Sequence, residues 1–81
     1  MRHPARPVAM LRQEAFWQRL DVLGRSQNWV ARELGISRGY LSMLANGKRA
    51  ASGRVRRGLM RILEVEDVHE LFFFRPPPDE A

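Results

Sequence analysis

Apolar residues along this chain recur in short stretches with the period of a helix, and each stretch is bounded by residues that start or stop helices. Phe16, Leu20 and Leu23 fall at i, i+4 and i+7, Leu11 and Ala15 extend the stripe, and Arg12, Arg19 and Asp21 stay outside it. This predicts a first helix from near Ala9 to near Gly24. Ser26 is placed to cap a second helix over Gln27 to Leu34, Gly35 supplies a left-handed turn, and Ser37 caps a third helix that stops at Asn46 and Gly47. After a loop from Gly47 to Ala51, Ser52 caps a fourth helix, in which Val55, Leu59 and Ile62 again stand at i, i+4 and i+7 while four arginines take other positions. Asp67 and Glu70 have the spacing of a capping box and open a last helix with Val68, Leu71 and Phe72 facing inward. The expected architecture is all-α: a compact domain of five helices over residues 9–74. It is preceded by a flexible basic arm at residues 1–8 and followed by a disordered, proline-rich acidic tail at residues 75–81.

The second and third helices belong together. Two short helices joined by a tight turn touch only where the residue at their closest approach is small, and Ala31 meets that need. Gly35 allows the positive backbone dihedral of the turn. Val30, Leu34, Ile36, Leu41 and Leu44 give the pair a continuous apolar underside. Arg38, Gly39, Ser42 and Met43 are left on the exposed side of the third helix.

With 81 residues the chain has room for one small domain, better suited to packed helices than to an enzyme cleft. It has no cysteine, which excludes a disulfide framework and thiolate zinc sites. It has no apolar run near the roughly 20 residues of a membrane-spanning helix, so a cytoplasmic protein without membrane contact is the default expectation. The net charge of +5 is unevenly distributed. From Arg25 to Arg61 nine basic residues stand against Glu33 alone, a balance of +8; from Ile62 onward it is −5, and over residues 1–24 it is +2. A basic segment that coincides with the helix pair favours a polyanionic partner over a merely solvated face.

The helix pair resembles the helix-turn-helix proteins of the Cro and Xre type, whose fold is that of phage repressors (lambda-repressor-like). The shared features are a glutamine at the start of helix 2 (Gln27), Val30-Ala31 inside it, Gly35 at the turn, the run Ser37, Tyr40, Leu41, Ser42 in helix 3, and then Asn46-Gly47-Lys48. The resemblance covers about Phe16 to Phe72. It implies that helix 3 lies in the major groove of double-stranded DNA while the start of helix 2 meets the backbone. Arg38, Gly39, Ser42 and Met43 then face bases. Gln27, Ser37, Tyr40, Asn46, Lys48, Arg49 and Arg54 face phosphates, and Arg56 and Arg57 extend that track. Arg38 opposes the helix dipole at a cost of about 0.3–1 kcal/mol, so local stability does not explain it. A bidentate contact to guanine, worth about 1–3 kcal/mol of discrimination, would. Gly39 gives up roughly 1 kcal/mol of helix propensity, which suggests that either the DNA or the preceding turn comes close. Two positions depart from the family pattern. Ala45 stands where many members carry an acid, and Trp29, at a usually polar position, is expected to cover Arg32 or to pack on helix 1 rather than to touch the sugar-phosphate backbone. Trp17 is expected as a partly buried edge of the core.

Other constellations are weaker. Glu66, Asp67, His69 and Glu70 read as a cap and a solvated face rather than a metal site, and His3 has no evident partner. No nucleophile stands beside a base, and neither an enzymatic role nor a cofactor is expected. Phe72, Phe73 and Phe74 cannot all be buried by one face of a helix. Either they form a homodimer contact or the chain folds back after Phe72 and covers the other two. The expected function is a sequence-specific transcriptional regulator, acting as a repressor by occupying its site. The alternatives are a protein-interaction or antitoxin-like module on the same scaffold, and the targeting domain of a recombinase or transposase.

Overall fold

The computed structural model describes residues 6–77. Five helices appear, together with two strands that the helical reading did not anticipate. In chain order they are β1 (Val8–Leu11), α1 (Gln13–Leu23), α2 (Gln27–Leu34), α3 (Arg38–Ala45), α4 (Gly53–Ile62), α5 (Val68–Leu71) and β2 (Phe72–Arg75). The fold is therefore helical but not strictly all-α.

Local chemistry sets the helix boundaries. Ser26, Ser37 and Ser52 each accept a hydrogen bond from the backbone N–H three residues on, at 3.0, 3.0 and 3.2 Å, and Asp67 accepts one from His69 at 2.9 Å. Gly35 closes α2 at φ 67°, and beyond it the Ile36 N–H donates to the Ala31 carbonyl at 3.0 Å. The same left-handed stop ends α4 at Glu64 (φ 60°), where the backbone has no glycine to relieve it. Arginines of the first segment serve the helix ends: Arg19 Nε donates to the Leu63 carbonyl at the end of α4 (3.0 Å), and Arg12 Nε to the carbonyl of His69 (2.9 Å).

The sheet corrects the expectation at both ends of the domain. Ala9, Met10 and Leu11 are extended rather than the opening turn of α1, and the helix starts only after Arg12, at ψ 108°. Val8, assigned to the arm, and Arg75, assigned to the tail, are paired strand residues. Phe72 is inward-facing as expected, but it opens β2 instead of closing the last helix. The register pairs Val8 with Arg75, Ala9 with Phe74, Met10 with Phe73 and Leu11 with Phe72, antiparallel. A strand sends alternate residues to opposite faces, which a helix cannot do for three consecutive aromatics. Phe72 and Leu11 therefore point into the core, while Phe73 and Met10 lie on the other face. On the far side of β1 the loop after α3 adds a one-residue bridge, with the Ala51 N–H donating to the Ala9 carbonyl at 2.8 Å. Of the arm and tail, residues 1–5 and 78–81 lie outside the described residues.

The core is continuous: Leu11, Phe16, Val30, Leu41, Leu44, Leu59, Leu63, Leu71 and Phe72 are fully enclosed, and Ala31, Ala45 and Leu20 fill the gaps. Ala31, expected at the closest approach of α2 and α3, is buried at 2% exposure. Gly58 allows a second close approach, between α4 and α2, since a Cβ there would lie 2.7 Å from Leu34 Cδ2. Trp17, at 42% exposure, lies edge-on to Phe16 with ring centroids 5.0 Å apart, and is more open than a core edge.

Candidate nucleic-acid interface

α3 has two unlike sides. Leu41, Leu44 and Ala45 are buried, which fixes the helix against the body; Arg38, Gly39 and Met43 are exposed and Ser42 is half-buried. The start of the helix is held by the Ser37 cap, so its first turn projects Arg38 from a defined backbone. Ser37 itself is exposed, and its hydroxyl hydrogen stays available while the oxygen accepts from Tyr40. A Cβ on Gly39 would meet nothing within 4 Å, so packing against the preceding turn does not account for the glycine. Ala45 is 1% exposed and belongs to the core, so no polar helix-supporting contact is made from this position.

The end of α3 is tied to the following loop. Asn46 Nδ2 donates to Ser42 Oγ at 3.2 Å, which couples a residue expected at bases to one expected at phosphate. The Lys48 N–H returns to the Met43 carbonyl at 2.8 Å, and Arg49 swings back so that its Cζ lies 5.5 Å from the Tyr40 ring centroid. Lys48 and Arg49 are exposed, and Tyr40 is half-buried. The turn is packed from behind by Gln13, whose Nε2 would be 2.9 Å from a Cβ on Gly47, so the loop rests directly on the start of α1. Arg54, in the first turn of α4, is exposed, as is Arg57; Arg56 is half-buried with its guanidinium carbon 5.8 Å from the Phe74 centroid, which places it with the sheet rather than with this track.

At the other end of the pair, the Ser26 cap starts α2 with Gln27 half-buried in its first turn. Between α2 and α3 lies a hollow of about 430 Å³ lined by Asn28, Ala31, Arg32, Ile36 and Arg38. Its lining carries two arginines, an amide and no acid, which makes it a site of positive potential. Arg32 in this role was not foreseen, nor was the arrangement of Trp29. The indole packs at the margin of the core, as the packing alternative required, but the cation over it belongs to Arg25, with Cζ 4.5 Å from the ring centroid. The spacing of Arg25 and Trp29 across the cap was the signal available in the sequence.

The three aromatics of β2 separate. Phe72 is 0% exposed and is removed from any outer contact. Phe73 and Phe74 are 39% exposed each among the described residues. Arg12 lies 5.5 Å from the Phe73 centroid, and His69 meets Phe74 edge-on at 5.9 Å. Beside Phe73, over the buried Met10, runs a groove of about 670 Å³ that also reaches Gln13, Asn46 and Gly47.

Two capped helices at a left-handed glycine turn, with an apolar underside and a basic exposed side, define a helix-turn-helix domain of the kind found in DNA-binding regulators. Compared with known protein families, the chain matches the helix-turn-helix domain over residues 5–71, and it belongs to that family. This agrees with the resemblance to the Cro and Xre type. Neither the curated proteins nor the solved structures give a significant match. Among the described residues no helix is long and apolar enough to cross a membrane.

Proposed function

We propose that the protein is a sequence-specific regulator that binds double-stranded DNA by laying α3 in the major groove and represses by occupying its site. The observation that carries this is the outer face of α3: Arg38, Gly39 and Met43 stand open to solvent on a helix whose other side is locked into the core. Arg38 reads guanine with its guanidinium, Met43 meets a thymine methyl, Gly39 leaves room for the base edges, and Ser42 sits between them. Gln27, Ser37, Tyr40, Asn46, Lys48, Arg49 and Arg54 hold phosphates, which sets register but carries little sequence information. Two copies meet through Phe73 on the outer face of the sheet; the buried Phe72 takes no part, and Phe74 lies on the opposite face beside Arg56 and His69.

Binding to a randomised duplex library between about 50 and 200 mM salt, followed by sequencing of the bound fraction, tests this. The expected result is an enriched motif in two half-sites about 34–36 Å apart, with a log-log salt slope near −5 for about six neutralised phosphates. Binding without any motif would leave a non-specific DNA-binding module. Absence of binding would favour the protein-interaction reading, for which the exposed Phe73 and Phe74 are the specific feature.

A further inference from the structure

Arg25 and Trp29 have no part in the interface as proposed, yet they form the closest cation–ring contact among the described residues, with Cζ 4.5 Å from the indole centroid. The contact is built from both sides. Ser26 accepts the Trp29 N–H at 3.0 Å, so the cap that starts α2 also sets the ring in its first turn. On the other side the Arg25 N–H donates to the Leu20 carbonyl at 3.0 Å, directly after Gly24 at φ 65°, which fixes the backbone from which the arginine reaches over the cap. The residue before a cap commonly places an apolar side chain against the first turn of its helix. Here a planar cation does so instead.

That choice has a chemical consequence. A guanidinium held over a ring face by a cation–π contact spends none of its N–H donors on that contact, so they stay available to a further partner. Arg25 is exposed, whereas the indole beneath it is half-buried. The stack therefore holds a full set of donors beside the α2 N-terminus, where backbone amides already favour an anion. The same construction recurs at α3: Ser37 caps the Tyr40 N–H, and Arg49 lies over the Tyr40 ring at 5.5 Å. Each helix of the pair thus carries a serine cap, an aromatic three residues later and an arginine over that ring.

We infer that Arg25 is a phosphate contact in its own right, held ready by Trp29, so that the DNA backbone is gripped by one stacked arginine ahead of α2 and by a second, Arg49, after α3. This rests on the DNA-binding function proposed above. Trp29 is a positioning residue: by limiting the rotamers of Arg25 before DNA arrives, it reduces the side-chain entropy lost on binding.

The test is a salt titration of wild type, Arg25→Ala, Trp29→Phe and Trp29→Leu on a duplex carrying the selected site and on a scrambled duplex, with folding of each variant followed by circular dichroism. Arg25→Ala should weaken both duplexes alike, by roughly three- to tenfold, and make the salt slope shallower by about 0.9, with base preference unchanged. Trp29→Phe, which keeps a ring, should bind nearly as wild type. Trp29→Leu should lose affinity while keeping the full salt slope, because the charge still reaches its phosphate; a merely structural tryptophan would lower the melting temperature without separating these two readouts. An Arg25→Ala variant with wild-type affinity and slope would overturn the inference while wild-type binding left the DNA-binding function standing. A wild type that binds neither duplex would overturn both.

Discussion

The α2–α3 pair and the β1–β2 pair each join two short elements, one across the turn from Gly35 to Ser37 and the other across the whole of the fold from Arg12 to Leu71. The first pair is closed by groups adjacent in sequence: two serine caps, a left-handed glycine and the alanine at the crossing. It can therefore expose its other side freely, with Arg32 and Arg38 on it and further basic residues in the segments that flank it. The second pair is closed by packing, with Leu11 and Phe72 side by side in the core. The contrast separates what the domain presents from what holds it together. Removing an exposed residue of the helix pair should alter binding and leave the fold, whereas removing an inward residue of the strand pair should alter the fold first.

The largest expected effect is on that second side. Phe72→Ala should lower unfolding free energy by about 3–5 kcal/mol, a substantial share of the about 5–15 kcal/mol typical of small domains, as measured by urea denaturation. A loss below about 1 kcal/mol would mean that the strand pair is not structural, and the contrast would fail. Next, Arg38→Ala should remove about 1–3 kcal/mol of discrimination at one base pair in a competition assay without lowering the melting temperature, since the dipole penalty goes with the charge. Lys48→Ala should weaken all sequences about equally, and identical profiles for the two variants would erase the division between base and phosphate contacts. A third variant probes the turn without steric interference. A Cβ at Gly35 meets nothing within 4 Å, so the loss of about 1–2 kcal/mol expected for Gly35→Ala comes from its φ of 67° alone. The smallest effect is expected on the outer face of the sheet, where Phe73→Ser should shift stability by less than about 1 kcal/mol while reducing self-association in sedimentation velocity.

Legibility in the sequence follows the same division. The caps at Ser26, Ser37, Ser52 and Asp67, the turn at Gly35 and the inward stripe of Phe16 and Leu20 are set by neighbours within one or two helical turns, and each forms as its local chemistry requires. The β1–β2 pair depends on partners at opposite ends of the chain. A four-residue apolar run such as Val8 to Leu11 carries no period that separates a strand from a helix opening. The run Phe72 to Phe74 did carry a sign of trouble for a helix, but not the identity of the strand that would pair with it. For the candidate interface, the exposed side of α3 was readable because its buried side is periodic. The hollow that joins Arg32 to Arg38 depends on how α2 crosses α3, and the contact of Arg25 with Trp29, whose spacing was readable, depends further on side-chain direction.

The pairing of Val8 with Arg75 also makes the described body nearly a closed ring. The chain enters and leaves it through one doorway, about 4.5–5.5 Å wide between backbone positions. Such a body can be spliced as a cassette into an exposed loop of a host protein without prying the host apart. It can also be circularly permuted: joined by a short linker across that doorway and reopened at the turn from Glu64 to Glu66, it would keep every contact of the helix pair while starting and ending elsewhere.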